Sequence, residues 1–267
     1  MKNLSIIILI LFSTVAFSQT INISENELRV KLDSVLLEGN LLFKYEKAAW
    51  VSTDIVRENI SLSQQIGGYF TYEDGNNIKV IFIDKKYENC IAEYIFENNF
   101  NKPEIVNILN RKLSEKENNL LQIRDKMLEH ISNGEYEIHI PDGFNPNLIF
   151  LPFDDKYKLY IIMGTSQNDI IPFGNDYYFI ADKNGKIENW QKFHSRIIPS
   201  HTEFQGNKVS ELTHSHLKST PLITATDICT FMLYAPLYGL KTFSVYSPAI
   251  GKYMTYNIDK NDITIKE

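Results

Sequence analysis

The sequence predicts an α+β fold in which a mostly helical N-terminal part precedes a mixed β-sheet domain. Three observations carry that expectation. Apolar residues recur at helical spacing after a capping signal at Ser24, and from about residue 135 short strand-like runs alternate with Pro, Gly, Asn and Asp. A single helix-start pattern, Thr224-Ala225-Thr226-Asp227, interrupts those later runs. The chain also holds 15 Tyr and 16 Phe, which suit a pleated, half-buried surface.

The elements follow in order. Ser24-Glu25-Asn26-Glu27 has the form of a capping box. Leu28, Leu32, Val35 and Leu36 then share one helical face, and Gly39 is expected to end that helix. A second helix is expected from Leu41 to about Val56. GGYFTY and IKVIFID flank the turn-rich Glu73–Asn77 and read as a hairpin. Lys86–Phe100 reads equally as a strand or a short helix. From Pro103 to about Ser132 the sequence predicts one long helix with proline in its first turn and Asn133-Gly134 at its end. Its charged middle, Arg111 to Asn119, is expected to face water.

Beyond Gly134 the strand-like runs are YEIHI, NLIFLPF, KLYIIMG, DYYFIAD and KIENWQKF, with Lys183–Lys186 as a hairpin turn. NKVSELTHSH is expected as a further strand, followed by a helix from Thr224 to about Tyr234 and two last strands, LKTFSVYS and KYMTYNI. The division that results is a signal segment over 1–18, an α-rich region of no assigned function over 19–135, and an α+β domain over 136–267.

The signal expectation rests on MKNLSIIILILFSTVAFS. Lys2 gives a positive start, Leu4 to Phe12 are almost wholly apolar, and Ala16-Phe17-Ser18 places small residues at the cleavage positions. The apolar run is shorter than the roughly 20 residues a spanning helix needs, so the segment reads as cleaved, with Gln19 first in the mature chain. No later segment is apolar enough to span a membrane, and the mature chain is expected in the periplasm or outside the cell. The formal net charge is −6. Losing Lys2 makes it more negative, which argues against nucleic acid or an anionic membrane surface as a partner. Only two cysteines occur, Cys90 and Cys229. They are read either as a pair or as buried free thiols, and they do not form a disulfide scaffold. Trp50 and Trp190 read as core or sheet-packing aromatics.

The stretch that points to chemistry is THSHLKSTPLITATDIC, residues 213 to 229. On a strand, His214 and His216 project to one face, so two imidazoles can converge on a cation. Asp227, eleven residues on, sits near a helix start and offers a third ligand. Two histidines and a carboxylate leave a fourth position for water, the arrangement of a catalytic zinc. Without a metal, Thr224 and Asp227 read as a helix N-cap and its reciprocal partner. His194 and His201 bracket Ser195–Ser200 and read as loop histidines that offer further ligands. Cys229 lies about 200° round the helix from Asp227 and points elsewhere.

These residues resemble the MPN/JAMM metalloproteases and the RadC-like proteins built on the same domain. His214-Ser215-His216 fits the family's His-x-His, and Thr224-x-x-Asp227 fits its Ser-x-x-Asp, with Thr for Ser, over a resemblance spanning about residues 155 to 260. The resemblance implies zinc held by His214, His216 and Asp227, Thr224 where the family's serine stabilises the tetrahedral intermediate, and a peptide or protein substrate. The chain departs from the pattern at Leu217, where the family has proline. It also lacks the upstream glutamate that serves as general base, since no Glu occurs between His139 and Ile187. Asp176 is the stand-in by position. Two functions follow as expectations: a zinc-dependent peptidase or isopeptidase, and a non-catalytic exported binding or envelope-associated protein with a degenerate site.

Overall fold

The computed structural model describes residues 23–134 and 136–267. The signal segment, its cleavage point at Gln19 and the proposed boundary residue Glu135 lie outside the described residues. In chain order the elements are α1 (Glu25–Glu58), α2 (Ile60–Ser63), β1 (Ile66–Asp74), β2 (Asn77–Asp84), β3 (Asn89–Phe96), β4 (Ile105–Lys112) and α3 (Glu115–Asn133). The second half continues with β5 (Asn145–Phe153), β6 (Lys156–Gly164), β7 (Ile170–Gly174), β8 (Tyr177–Ala181), β9 (Ile187–Lys192) and β10 (Ile197–His201). It ends with β11 (Glu203–Phe204), β12 (Asn207–Lys208), β13 (Leu212–Ser215), α4 (Ala225–Tyr238), β14 (Thr242–Ser247), β15 (Lys252–Asn257) and β16 (Asp262–Lys266). The α+β class holds, although the N-terminal half carries a full sheet as well as helices.

Three four-stranded sheets organise the molecule, in the orders β1-β2-β3-β4, β5-β6-β8-β9 and β13-β14-β15-β16. Pairing between β13 and β14 is parallel, with α4 as the crossover between them. The first sheet is covered on both sides. Val80, Phe82, Ala92 and Tyr94 face α1 in a core that continues through α4 to Phe243, Met254 and Tyr256. Phe70, Ile81 and Ile83 face α3 and the Leu159, Ile161 and Phe179 side of the second sheet. The larger core therefore draws on residues from both sides of position 135.

Gly39 does not end the first helix. α1 runs unbroken for 34 residues, capped by the Ser24 hydroxyl accepting from the Glu27 N–H. The glycine is there for packing: a Cβ at Gly39 would lie 2.8 Å from the Ile228 Cβ and 3.2 Å from the Ala225 carbonyl oxygen. It is the point where α4 presses onto α1. The expected helix over 103–132 is also corrected. Ile105–Lys112 is the edge strand β4, and a new helix starts at Glu115 behind a complete capping box of Ser114 and Glu117. β-branched residues at 105, 106 and 108 suit a strand, and the Ser114 signal was submerged in the charged run. That run does not simply face water. The Arg111 guanidinium grips the buried Glu117 with bonds of 2.7 Å to each oxygen and reaches Glu93 at 2.9 Å.

Smaller differences are local. Within Lys86–Phe100, Asn89–Phe96 is strand β3. Tyr136–Ile140 has no regular structure, and the expected strand 207–216 is divided, with only Leu212–Ser215 in the third sheet. β7, β10, β11 and β16 are strands outside the runs read from the sequence. Cys90 and Cys229 are both free and buried, one in each core. Trp190 stacks on Phe179, with centroids 6.1 Å apart. No helix among the described residues is long and apolar enough to cross a membrane.

Candidate metal centre

β13 alternates buried and exposed positions, so Leu212 and His214 point inward while Thr213 and Ser215 point out. His214 packs between the rings of Phe173 and Phe243, at centroid distances of 5.1 and 6.2 Å. His216 lies just past the assigned strand, but its N–H still donates to the Tyr246 carbonyl at 3.0 Å, extending the ladder. The period of two therefore survives, and the two Nε2 atoms come within 3.1 Å of each other.

Asp227 arrives from the first turn of α4. The Thr224 hydroxyl accepts from the Asp227 N–H at 3.2 Å, and the Thr224 N–H donates to Asp227 Oδ2 at 2.9 Å. This is the reciprocal cap read from the sequence. It leaves Oδ2 3.1 Å from His216 Nε2 and Oδ1 3.3 Å from His214 Nε2. Oδ1 is buried with no hydrogen-bond donor among the described residues. The expected trio of His214, His216 and Asp227 is thus brought together, with Thr224 beside it.

The residue the sequence undervalued is His194. It lies in the connection between β9 and β10, and its Nε2 sits 2.8 Å from His216 Nε2 and 3.5 Å from Asp227 Oδ1. Backbone bonds hold it there: Phe193 N–H donates to the Asp176 carbonyl and Asn175 N–H to that of Arg196, each at 3.0 Å. No spacing rule links position 194 to the 214–227 motif, because the contact depends on how two strand connections pair. His201, the other histidine considered, is exposed on β10.

His194, His214, His216 and Asp227 are all buried, and one ligand atom from each lies within 4.8 Å of the rest. The orientation of the rings tells more than their proximity. His194 Nδ1 lies 2.6 Å from Asp176 Oδ1, while His216 Nδ1 lies 2.7 Å from the Leu222 carbonyl and 3.1 Å from that of Thr220. Both acceptors require Nδ1 to carry the proton, so each neutral ring presents the Nε2 lone pair. Two lone pairs 2.8 Å apart repel unless a positive centre lies between them. A carboxylate or a carbonyl behind each imidazole is the outer support that metal-ligating histidines use. Tetrahedral zinc with ligands at 2.0–2.1 Å places them about 3.3 Å apart; the nearest contacts here run from 2.8 to 3.5 Å, and the four ligand atoms all lie within 4.8 Å of one another. The four residues are close enough together to hold a metal ion.

With no metal between them, a proton on His194 Nε2 can fill the same gap by donating to His216 Nε2. Burial works against charge on His194, but Asp176 and Asp227 outweigh it and push this ring up to about 9. Burial holds His214 below the usual histidine value, offset in part by Asp227. Burial alone would raise Asp227, yet His194, His216 and His214 hold it well below the ordinary carboxylate range. The cluster favours an anionic Asp227 with positive charge, as a proton or a metal ion, among the ring nitrogens.

Asp176, the stand-in for a general base by position, contacts His194 and Thr226. It is buried, with Oδ1 on His194 and Oδ2 accepting from the Thr226 hydroxyl. Both oxygens are engaged, so Asp176 orients the His194 ring. Thr224 is similarly committed, its hydroxyl donating to Asp227 Oδ2 at 2.7 Å. Four protein groups converge where the sequence pattern foresaw three and an open position. Chemically the arrangement could bind and bury a cation; among the described residues the two aspartates at the cluster, Asp176 and Asp227, are both engaged by neighbouring side chains. The chain matches no known protein family, no curated protein and no solved structure.

Proposed function

We propose that this is an exported, non-hydrolytic binding protein whose C-terminal half is an MPN/JAMM-like scaffold locked by one structural zinc ion. What carries the reading is the position of His194, buried and braced by Asp176, at the place a catalytic zinc keeps for water. The parallel β13–α4–β14 unit, with paired histidines on the strand and the carboxylate in the first helical turn, supports the scaffold. The missing upstream glutamate and the engagement of Asp176 weigh against a peptidase. His194, His214, His216 and Asp227 would hold the zinc, which when bound cross-links the β9–β10 connection, the end of β13 and the start of α4. Asp176 and the Leu222 carbonyl fix ring tautomers, and Thr224 fixes the carboxylate.

The test is metal content by elemental mass spectrometry. Protein lacking residues 1–18 would be purified without a metal-affinity tag, beside His194→Ala and His214→Ala/His216→Ala variants. The expected result is near one zinc per chain, lost in both variants, with no turnover of a peptide library. Absence of metal after incubation with zinc overturns the zinc centre. Zinc retained in His194→Ala, together with peptide hydrolysis by the parent protein, overturns the closed-site reading in favour of the peptidase.

A further inference from the structure

Outside the candidate metal centre, α1 carries a buried carboxyl that no cation among the described residues accompanies. Glu46 is 2% exposed, and its Oε1 accepts from the Trp50 indole N–H at 2.8 Å. Among the described residues no other donor bonds to it, and no Lys, Arg or His pairs with it. The side chain lines a cleft of about 380 Å³ between α1, β1 and β5, walled by Trp50 and Tyr69 and edged by Asn147. Asp54 and Arg57 stand at its mouth as an exposed pair 3.7 Å apart, so the uncompensated charge in the cleft is that of Glu46.

We propose that this cleft binds a small organic ammonium ion, with the Glu46 carboxylate as its anionic floor and Trp50 and Tyr69 as its aromatic walls. A buried carboxylate without a partner is costly, and an ammonium supplies both the missing charge and hydrogen bonds to Oε2. Indole and phenol faces attract cations further, most strongly where water is excluded. The volume falls within the range of small-molecule sites. Burial, opposed by the Trp50 hydrogen bond, moves the carboxyl up to about 7, so it is ionised at mildly alkaline pH, where alkylammonium ions remain charged. The other titratable groups around it are Asp54 and Arg57 at the mouth, Tyr69 on β1 with the Arg124 guanidinium bonded to its carbonyl, and Cys229 and Tyr234 on α4; burial and Glu46 raise Tyr69, Cys229 and Tyr234, with Arg124 opposing at Tyr69.

The chain has two tryptophans, so Trp190→Phe leaves Trp50 as the only indole reporter. Phenethylammonium would be titrated into that protein at pH 8 by fluorescence, with 2-phenylethanol as the uncharged comparator. The expected result is a saturable change, with the ammonium bound about tenfold or more tighter than the alcohol, a preference that Glu46→Gln abolishes. Equal binding of the two compounds, no saturable response, or an unchanged preference in Glu46→Gln would overturn the proposal. The glutamine keeps an acceptor for Trp50. If that variant does not fold, Thr53→Phe at a half-buried lining position decides instead: lost binding supports the cleft, and retained affinity overturns it.

Discussion

His194 Nδ1 lies 2.6 Å from Asp176 Oδ1, and this contact aims the other ring nitrogen at His214, His216 and Asp227. The two residues are 18 apart in sequence and belong to different strand connections, yet together they complete the cluster. Asp176→Asn should therefore leave all four candidate ligands in place and weaken zinc binding by about 10–100-fold, the usual cost of losing an outer carboxylate. Competition against a chromophoric chelator measures this. Unchanged affinity would mean that the aspartate plays no part in metal binding.

Metal loading should also stabilise the fold, because the ligands come from three separate segments. With free zinc at about 100 times its dissociation constant the gain is about 2.7 kcal/mol, read as a rise in Tm that a chelator reverses. His194→Ala should abolish the rise. His201→Ala should behave like the parent protein, since that side chain is exposed on β10. If both variants respond to zinc alike, His194 is not a ligand.

The sequence was legible where a local rule had a local cause. The hairpin turn at residues 74–77, the caps at Ser24 and Thr224, and the shared face of His214 and His216 all follow from period and spacing. It was illegible where tertiary contact decided. Gly39 has the look of a helix stop, and only the approach of Ile228 explains its place inside a long helix. The charged run at 111–119 hides a strand end, a cap and a buried ion pair in nine residues. His194 belongs to the site through the pairing of two strand connections, which no motif records.

Gly39→Ala tests the first of these contacts. In an isolated helix the change would stabilise by about 1 kcal/mol. Here the new methyl group meets the Ile228 Cβ at 2.8 Å and a backbone oxygen at 3.2 Å, and overpacking costs about 1–3 kcal/mol. The expected net effect is destabilisation, seen as a lower urea midpoint. A more stable variant would show that α1 and α4 separate readily.

Arg111→Ala tests the second. Glu117 is 1% exposed and Arg111 34%, so removing the guanidinium strands a buried carboxylate. Breaking a fully buried pair costs about 3–5 kcal/mol. With Arg111 partly exposed, water compensates some of the loss, and about 2–3 kcal/mol is expected. Burial alone would raise Glu117, but the bonds from Arg111, the Ser114 N–H and the Tyr72 hydroxyl bring it down to about 2. Its stabilising contribution is therefore present above its ordinary value of 4.5 and is lost as the pH falls through 2. Arg111→Ala should reduce the acid dependence of stability in that window; an unchanged profile would rule out the pair as its source.

Glu46 gives the opposite pH signature. Its carboxyl rises from 4.5 to about 7 because burial disfavours the charged form, with the Trp50 hydrogen bond opposing. A group raised on folding contributes stability that is complete below 4.5 and is lost as the pH climbs through 7. At 1.36 kcal/mol per unit, the swing is on the order of 3 kcal/mol. Glu46→Gln removes the titration while keeping the acceptor for the indole. Unfolding free energies measured from pH 4.5 to 8 should thus show the variant gaining on the parent protein as pH rises and overtaking it above neutrality. Parallel profiles would mean that the carboxyl is hydrated in the folded protein, and the expected cost of its charge would be absent.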